Sequence, residues 1–153
     1  LSSSPRIFTK VMKPIFSHLR STFGHICLSY IDDSLYMGNT ATECAEATLH
    51  AVQLLTRLGF NVNSAKSVLR PSQCVEFLGF IIDSVTMTVY LTPRKRDKIS
   101  SLCLSLLSPG KRLTIWQVAS FIGTLVSAFP GVEFGPLHYR HLLDDKDKNL
   151  RLS

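Results

Sequence analysis

The chain has 153 residues, 45% of them hydrophobic, which is enough to bury one core, or a small domain with an appended helical piece, and too few for two domains of ordinary size. Its 17 Lys and Arg against 11 Asp and Glu leave a formal charge of +6 and a pI near 9.4, a balance compatible with a polyanionic partner. No apolar run nears the roughly 20 residues that a membrane-spanning helix needs, and no signal-peptide pattern opens the chain. Cys27, Cys44, Cys74 and Cys103 form no CxxC pair and have no histidine at zinc-ligand spacing, so free thiols in an intracellular protein, cytoplasmic or nuclear, are expected. Leu1 in place of an initiating Met makes a piece of a longer protein the expectation.

In chain order, Ser4-Pro5 reads as a helix start, a cap followed by Pro at the first helical position. Phe8, Val11, Met12, Ile15, Phe16 and Leu19 then recur at helical spacing. Pro14 withholds the amide that the Lys10 carbonyl would accept from, which predicts a kink or an early end. From residue 25 to 37 the pattern turns β-rich on both sides of Asp32-Asp33, a hairpin with acids at its tip. Thr40 and Glu43 form a capping box for a second helix. Its polar face carries Glu43, Glu46, His50, Gln53 and Arg57, its core face Ala41, Ala45, Val52 and Leu55, and Gly59 is its stop.

Residues 75–82 and 87–91 read as two strands joined by Asp83-Ser84. Thr92-Pro93 then opens a helix whose Ile99, Leu102, Cys103, Leu106 and Leu107 make one apolar stripe up to Pro109-Gly110. Thr114 and Gln117 box-cap another, with Val118, Phe121, Ile122, Leu125 and Phe129 facing inward. Beyond Pro130-Gly131 the pattern weakens, and residues 144–151 read as a charged, solvated tail. The class is α+β, a mixed unit over residues 1–91 followed by helices over 92–153. The basic excess concentrates in Arg94, Lys95, Arg96, Lys98, Lys111 and Arg112, against Asp97 alone.

Adjacent acids in a turn can be simple turn formers. Here they are followed by apolar Leu35 and Met37, and a two-residue turn centred on Ile31-Asp32 would force a β-branched residue to positive φ, a strain that persists where function requires it. Carboxylates are hard oxygen ligands of the kind Mg²⁺ takes together with phosphates and waters, and a rigid hairpin positions them better than a loop. Neighbours on a strand point to opposite faces, so two adjacent Asp are rarely sufficient alone.

Tyr30-Ile31-Asp32-Asp33 resembles the YxDD motif of reverse transcriptases, and its neighbours stand in that family's order. LSSSPRIFTK is similar to the end of the loop and helix that contact template and incoming nucleotide, LGFNVNSAKS to the helix-to-lysine segment, and CVEFLGFIID to the primer-grip hairpin. YIDDSL, FLGFIIDSVTMTVYLTP and FIGTLVSAFPGVEFGPLHY look closest to DIRS-type retrotransposons, which pair the polymerase with a tyrosine recombinase. The resemblance implies a right-hand polymerase, with a partial palm over residues 1–91 and a helical thumb and start of a connection over 92–153. It also implies DNA synthesis on RNA or DNA templates with Mg²⁺, or Mn²⁺, from deoxynucleoside triphosphates.

By that resemblance Asp32 is the main metal ligand, Asp33 supports the site, and Tyr30 lies near the primer terminus. Lys66 falls where the family has a lysine proposed to protonate the pyrophosphate leaving group, with a plain solvated lysine as the alternative. Phe77, Leu78 and Gly79 would form the primer grip, ordinary strand core being the alternative for Phe77 and Leu78. Ser2 and Ser3 would lie against template or nucleotide, whereas Ser4 is better read as a helix cap. Arg94, Lys95, Arg96 and Lys98 would hold duplex phosphates, or else form a solvated helix face. His18, His25, His50, His138 and His141 show no ligand set. The first catalytic strand with its own Asp, the fingers and the RNase H acids would belong to the rest of a polyprotein, so the fragment alone is expected to be inactive. A non-catalytic nucleic-acid-binding remnant of a decayed element is the rival reading.

Overall fold

The computed structural model describes residues 3–107 and 113–151. Ser2, Lys111, Arg112 and the helix end expected at Pro109-Gly110 therefore lie outside the described residues. The chain divides into two compact units, Leu1–Ser72 and Gln73–Ser153. That division falls before the second group of strands, whereas the pattern of elements suggests one after them, at 91/92.

The first unit contains α1 (Ser4–Phe23), a hairpin of β1 (Ile26–Tyr30) and β2 (Asp33–Met37), and α2 (Ala41–Arg57). The early end expected as one outcome at Pro14 does not occur, since α1 runs through it. Pro14 and Lys10 are both exposed, so water can take the hydrogen bond that the proline ring denies the Lys10 carbonyl. Ser4 is already helical, and Ser3 is the N-cap without a side-chain cap bond; the capping role expected of Ser4 is not observed. Met12, Ile15, Phe16 and Leu19 form the buried stripe and pack with Cys27 of β1 and Ala51 of α2, rimmed by Phe8, Tyr36, Leu54, Leu55 and Phe60.

The cap of α2 is local chemistry: the Thr40 hydroxyl accepts from the Glu43 amide at 3.1 Å, and the Glu43 carboxylate accepts from the Asn39 amide at 2.9 Å. Its core face differs from the expected one. Ala47 and Ala51 are buried while Ala41 and Ala45 are exposed, because small residues one turn apart, flanked by Leu54 and Leu55, let the helix approach α1 and β2 closely. At its end Gly59 has φ 86°, its amide donates to the Thr56 carbonyl at 3.0 Å, and Phe60 donates to the Leu55 carbonyl at 2.9 Å. This left-handed closure turns Phe60 back onto the core.

The second unit opens with an antiparallel meander of β3 (Cys74–Phe77), β4 (Phe80–Asp83) and β5 (Thr88–Leu91). Residues 75–82, expected as one strand, fold back at Leu78-Gly79, with Phe77 paired to Phe80. Helix α3 (Pro93–Leu106), helix α4 (Ile115–Val126), a 3-10 turn (Phe129–Gly131), α5 (Gly135–His138) and α6 (Arg140–Arg151) follow. Residues 144–151, expected as a charged, solvated tail, belong to α6, with Asp144, Asp147 and Lys148 exposed. The Thr92 and Thr114 caps form as read, Thr114 with Gln117 as a full reciprocal box. Thr92 is 4% exposed, and its amide donates to the Gly79 carbonyl at 3.2 Å, which ties the start of α3 to the β3–β4 turn. Gly131 is required by packing: a Cβ there would lie 3.0 Å from the Leu91 nitrogen, the Tyr90 carbonyl carbon and the Phe80 ring.

Leu19 is fully buried at the centre of the first unit. Leu19→Ala should lower unfolding stability by about 2–5 kcal/mol, read from the urea midpoint, and a loss under about 1 kcal/mol would show that this core is not what holds the unit.

Candidate active site

The register Ile26↔Met37, Cys27↔Tyr36, Leu28↔Leu35, Ser29↔Ser34 and Tyr30↔Asp33 leaves Ile31-Asp32 as a two-residue turn. Ile31 has φ 53°, so the strained position expected from the sequence is present. Asp32 sits at the apex of the turn and Asp33 opens β2, both exposed. They are not neighbours on one strand, so the expectation that they point to opposite faces of a strand does not apply. Tyr30, Leu28 and Ile26 share the uncovered face, at 59%, 50% and 54% exposure, and Asp33 lies across from Tyr30 on that side. The opposite face packs down through Cys27 and Tyr36, whose ring stacks on Phe16 with centroids 6.4 Å apart.

Both edges of the hairpin are pinned from outside. With Tyr30 and Asp33 as the closing hydrogen-bonded pair, the carbonyls of Cys27 and Tyr36 point away from the partner strand. Arg20, in the last turn of α1, donates to the Cys27 carbonyl through Nη2 at 2.8 Å and Nε at 3.2 Å. Cys44 of α2 contacts the Tyr36 carbonyl through Sγ at 3.6 Å. Sequence reasoning does not find Arg20, whose only signal is a basic residue closing a helix just before the hairpin.

The other candidate residues lie on other elements. Lys66 is exposed, in a turn where the Asn63 side chain accepts from its amide at 3.2 Å and the Ser67 hydroxyl donates to the Asn63 carbonyl at 2.8 Å. No side-chain bond joins Lys66 to the hairpin among the described residues. Ser3 is exposed at the start of α1. Phe77, Leu78 and Gly79 belong to the second unit, with Phe77 half-buried, and Leu78 and Gly79 at φ 52° and 77°, the signs of a type I′ turn.

The basic cluster is divided by its own packing. Lys95 lies 3.9 Å over the Phe80 ring, and its Nζ donates to the Ser127 carbonyl at 2.9 Å; partial burial lowers its pKa below the usual lysine value. Arg96 meets Asp97 at 3.3 Å, both 69% exposed, a pair that contributes little in water. Arg94 and Lys98 are exposed.

Among the described residues, no group of three or more His, Cys, Asp or Glu could hold a metal ion. Asp32 and Asp33 alone therefore offer two hard oxygen donors, which suits Mg²⁺ only when phosphates, waters and further donors complete the shell. Asp83 is engaged in its own turn. Its carboxylate accepts from the amides of Val85 at 2.8 Å and Thr86 at 3.1 Å, and those bonds, Thr86 first, hold its pKa below the usual carboxylate value.

The chain belongs to the reverse transcriptase family: residues 1–82, more than half of its length, match that family, described as reverse transcriptase (RNA-dependent DNA polymerase). Two curated relatives are the Gag-Pol polyprotein of Koala retrovirus, 27% identical over 123 residues, and that of Woolly monkey sarcoma virus, 26% identical over 123 residues. Each match covers 80% of this chain and 7% of the relative, so the chain spans a small part of the length of those polyproteins. No helix among the described residues is long and apolar enough to cross a membrane.

Positive φ costs a β-branched residue about 1–3 kcal/mol, and Asn tolerates it. Ile31→Asn should therefore raise the stability of the chain by about 1 kcal/mol in urea unfolding. A drop in stability would mean that the packing of the Ile31 side chain outweighs the strain.

Proposed function

We propose that the chain is the later palm and the thumb of a retroelement reverse transcriptase that transfers nucleotides from deoxynucleoside triphosphates to a primer 3′-hydroxyl. The observation that carries this reading is the Tyr30–Asp33 tip, held at both edges and open to solvent. Mg²⁺, or Mn²⁺ in its place, would be bound by Asp32 and Asp33 and would supply charge neutralisation and activation of the attacking hydroxyl. Arg20 and the α1 core hold the carboxylates in place, and Tyr30 on the open face supports the primer end. Lys66 acts on the leaving group from its turn, and the Phe77–Gly79 turn grips the primer backbone. Ser2 and Ser3 contact template or nucleotide. The finer affinity to DIRS-type elements rests on the motifs quoted from the sequence.

The chain supplies only one side of such a site. Two divalent ions carry four positive charges, against which Asp32 and Asp33 set two negative ones beside the substrate phosphates; the further carboxylate, the fingers and the RNase H would come from the rest of the polyprotein, and the chain alone would not polymerise. In the full-length parent, Asp32→Asn should abolish primer extension while leaving primer-template binding largely intact. Near-normal extension by that variant would remove Asp32 from the metal site.

Lys95 is occupied by Phe80 and Ser127, which predicts unequal effects within the basic cluster. Arg94→Gln and Lys98→Gln should weaken duplex binding without base preference and each flatten its salt dependence by up to about one counterion. Lys95→Gln should instead lower thermal stability with a smaller change in salt slope. Equal salt effects from all three would show that Lys95 leaves its packed position to reach phosphate.

A further inference from the structure

At the base of the hairpin, far from its acidic tip, two histidines that the catalytic reading does not use meet across elements. His25, between α1 and β1, and His50, on α2, lie with Nε2 and Nδ1 2.9 Å apart. Phe23 is stacked against His25 at 5.5 Å and tilted against His50 at 4.8 Å. A cleft of about 220 Å³ opens beside them, with His25, Phe23, Glu43 and Glu46 in its wall. We propose that His25 and His50 form a proton-sensitive clasp that fastens the base of the YIDD hairpin to α2 when neutral and releases it on acidification.

The chemistry follows from counting protons between the two facing nitrogens. A neutral pair has one N–H and one lone pair, which make one hydrogen bond; a single added proton still leaves a lone pair on the partner ring. A second proton places N–H on both facing atoms, so the bond is lost and two positive rings repel. The charged surroundings come from each packed element. From α2, Glu46 favours a charged His25, and Glu43 is tied to the Asn39 amide. From α1, His18 stands edge-on to Phe23 at 5.7 Å, with its Nδ1 3.0 Å from the Thr22 hydroxyl. Met37, Gly38 and Asn39 at the end of β2 bring no charge.

Burial first, and His50 second, lower the pKa of His25 below 6.5, with Glu46 opposing. Because the folded value is the lower one, the unfolded chain binds the proton more readily. The stability that depends on a neutral His25 is therefore complete above about pH 6.5 and is lost as the pH falls from there through the folded value, and the second proton, bound by the pair at still lower pH, is the one that breaks the hydrogen bond. Each strand of the hairpin is five residues long, about 17 Å, so release acts on how the hairpin is seated and not directly on its carboxylates. The inference stands on this geometry whether or not the tip binds metal.

Urea unfolding of the chain at about pH 7.5 and about pH 5, with NMR titration of the imidazoles, tests it. The wild-type chain should lose stability on acidification, and His50→Gln and His25→Gln, which keep a bonding amide but do not titrate, should each cut that loss to roughly half or less, with His18→Gln as the control. In the wild type the His25 and His50 resonances should titrate in a coupled manner, with the midpoint of His25 below 6.5. Equal acid losses in wild type and both clasp variants, or independent titration of the two rings, would overturn the proposal. The wild-type titration decides alone if neither variant folds.

Discussion

A two-stranded hairpin is not stable by itself in water, and in the first unit the Asp32-Asp33 pair hangs from one. The constraint is met by burying a single face. Phe16 and Leu19 of α1 close over Cys27 and Tyr36, while Ala51 brings α2 into the same core. A two-residue turn leaves outward-facing carbonyls on each strand, and Arg20 and Cys44 bond to one on each edge. Core burial resists lifting of the hairpin, and the edge bonds resist its sliding along the strand direction. Asp32 is thereby held on a fixed lever rather than on a mobile loop, the condition under which carboxylates can define a metal position.

Strain accompanies this arrangement without identifying it. Ile31 and Leu78 occupy positive φ in two-residue turns that ordinarily take Gly or Asn, and both belong to segments that resemble contact elements of the polymerase. Met87, however, has φ 53° and is 85% exposed in the β4–β5 turn, where no acid awaits a partner, since Asp83 is consumed by its own turn. What separates the Ile31 turn from the Met87 turn is the pair of uncommitted carboxylates beside it.

Features set by neighbours along the chain are legible in the sequence alone. Thr40, Thr92 and Thr114 cap as read because a cap needs only the three residues that follow it, and the Asp32 hairpin is marked by its change of period. Features set by distant partners are not. The turn at Leu78-Gly79 escapes the strand pattern because apolar Phe77, Leu78, Phe80, Ile81 and Ile82 surround it, and only the resemblance of CVEFLGFIID to a hairpin marks it. The core face of α2 escapes the pattern because alanines give little direction to a helix until a neighbour chooses among them. Pro14 does not end α1 because water can take up the bond it withholds from the exposed Lys10, and that exposure is a tertiary fact. His25 and His50 meet only after α1, the hairpin and α2 have packed, and no local pattern joins residues so far apart. Lys95 counts as one cation among four until Phe80 and Ser127 claim it.

The distribution of charge links these observations to chemistry. The chain carries a formal charge of +6, yet neither Asp32 nor Asp33 forms an ion pair among the described residues, and they remain adjacent, like-charged and open to water. Adjacent carboxylates repel unless a cation or hydrogen-bond donors offset them. Asp83 shows the alternative in the same chain, a carboxylate satisfied by two backbone amides. The first unit commits the guanidinium nearest the hairpin base, that of Arg20, to a backbone carbonyl instead of to these acids. An exposed, uncompensated pair gives the fold nothing in stability, and that is the electrostatic ground for proposing a divalent cation, brought with a phosphate, as its partner.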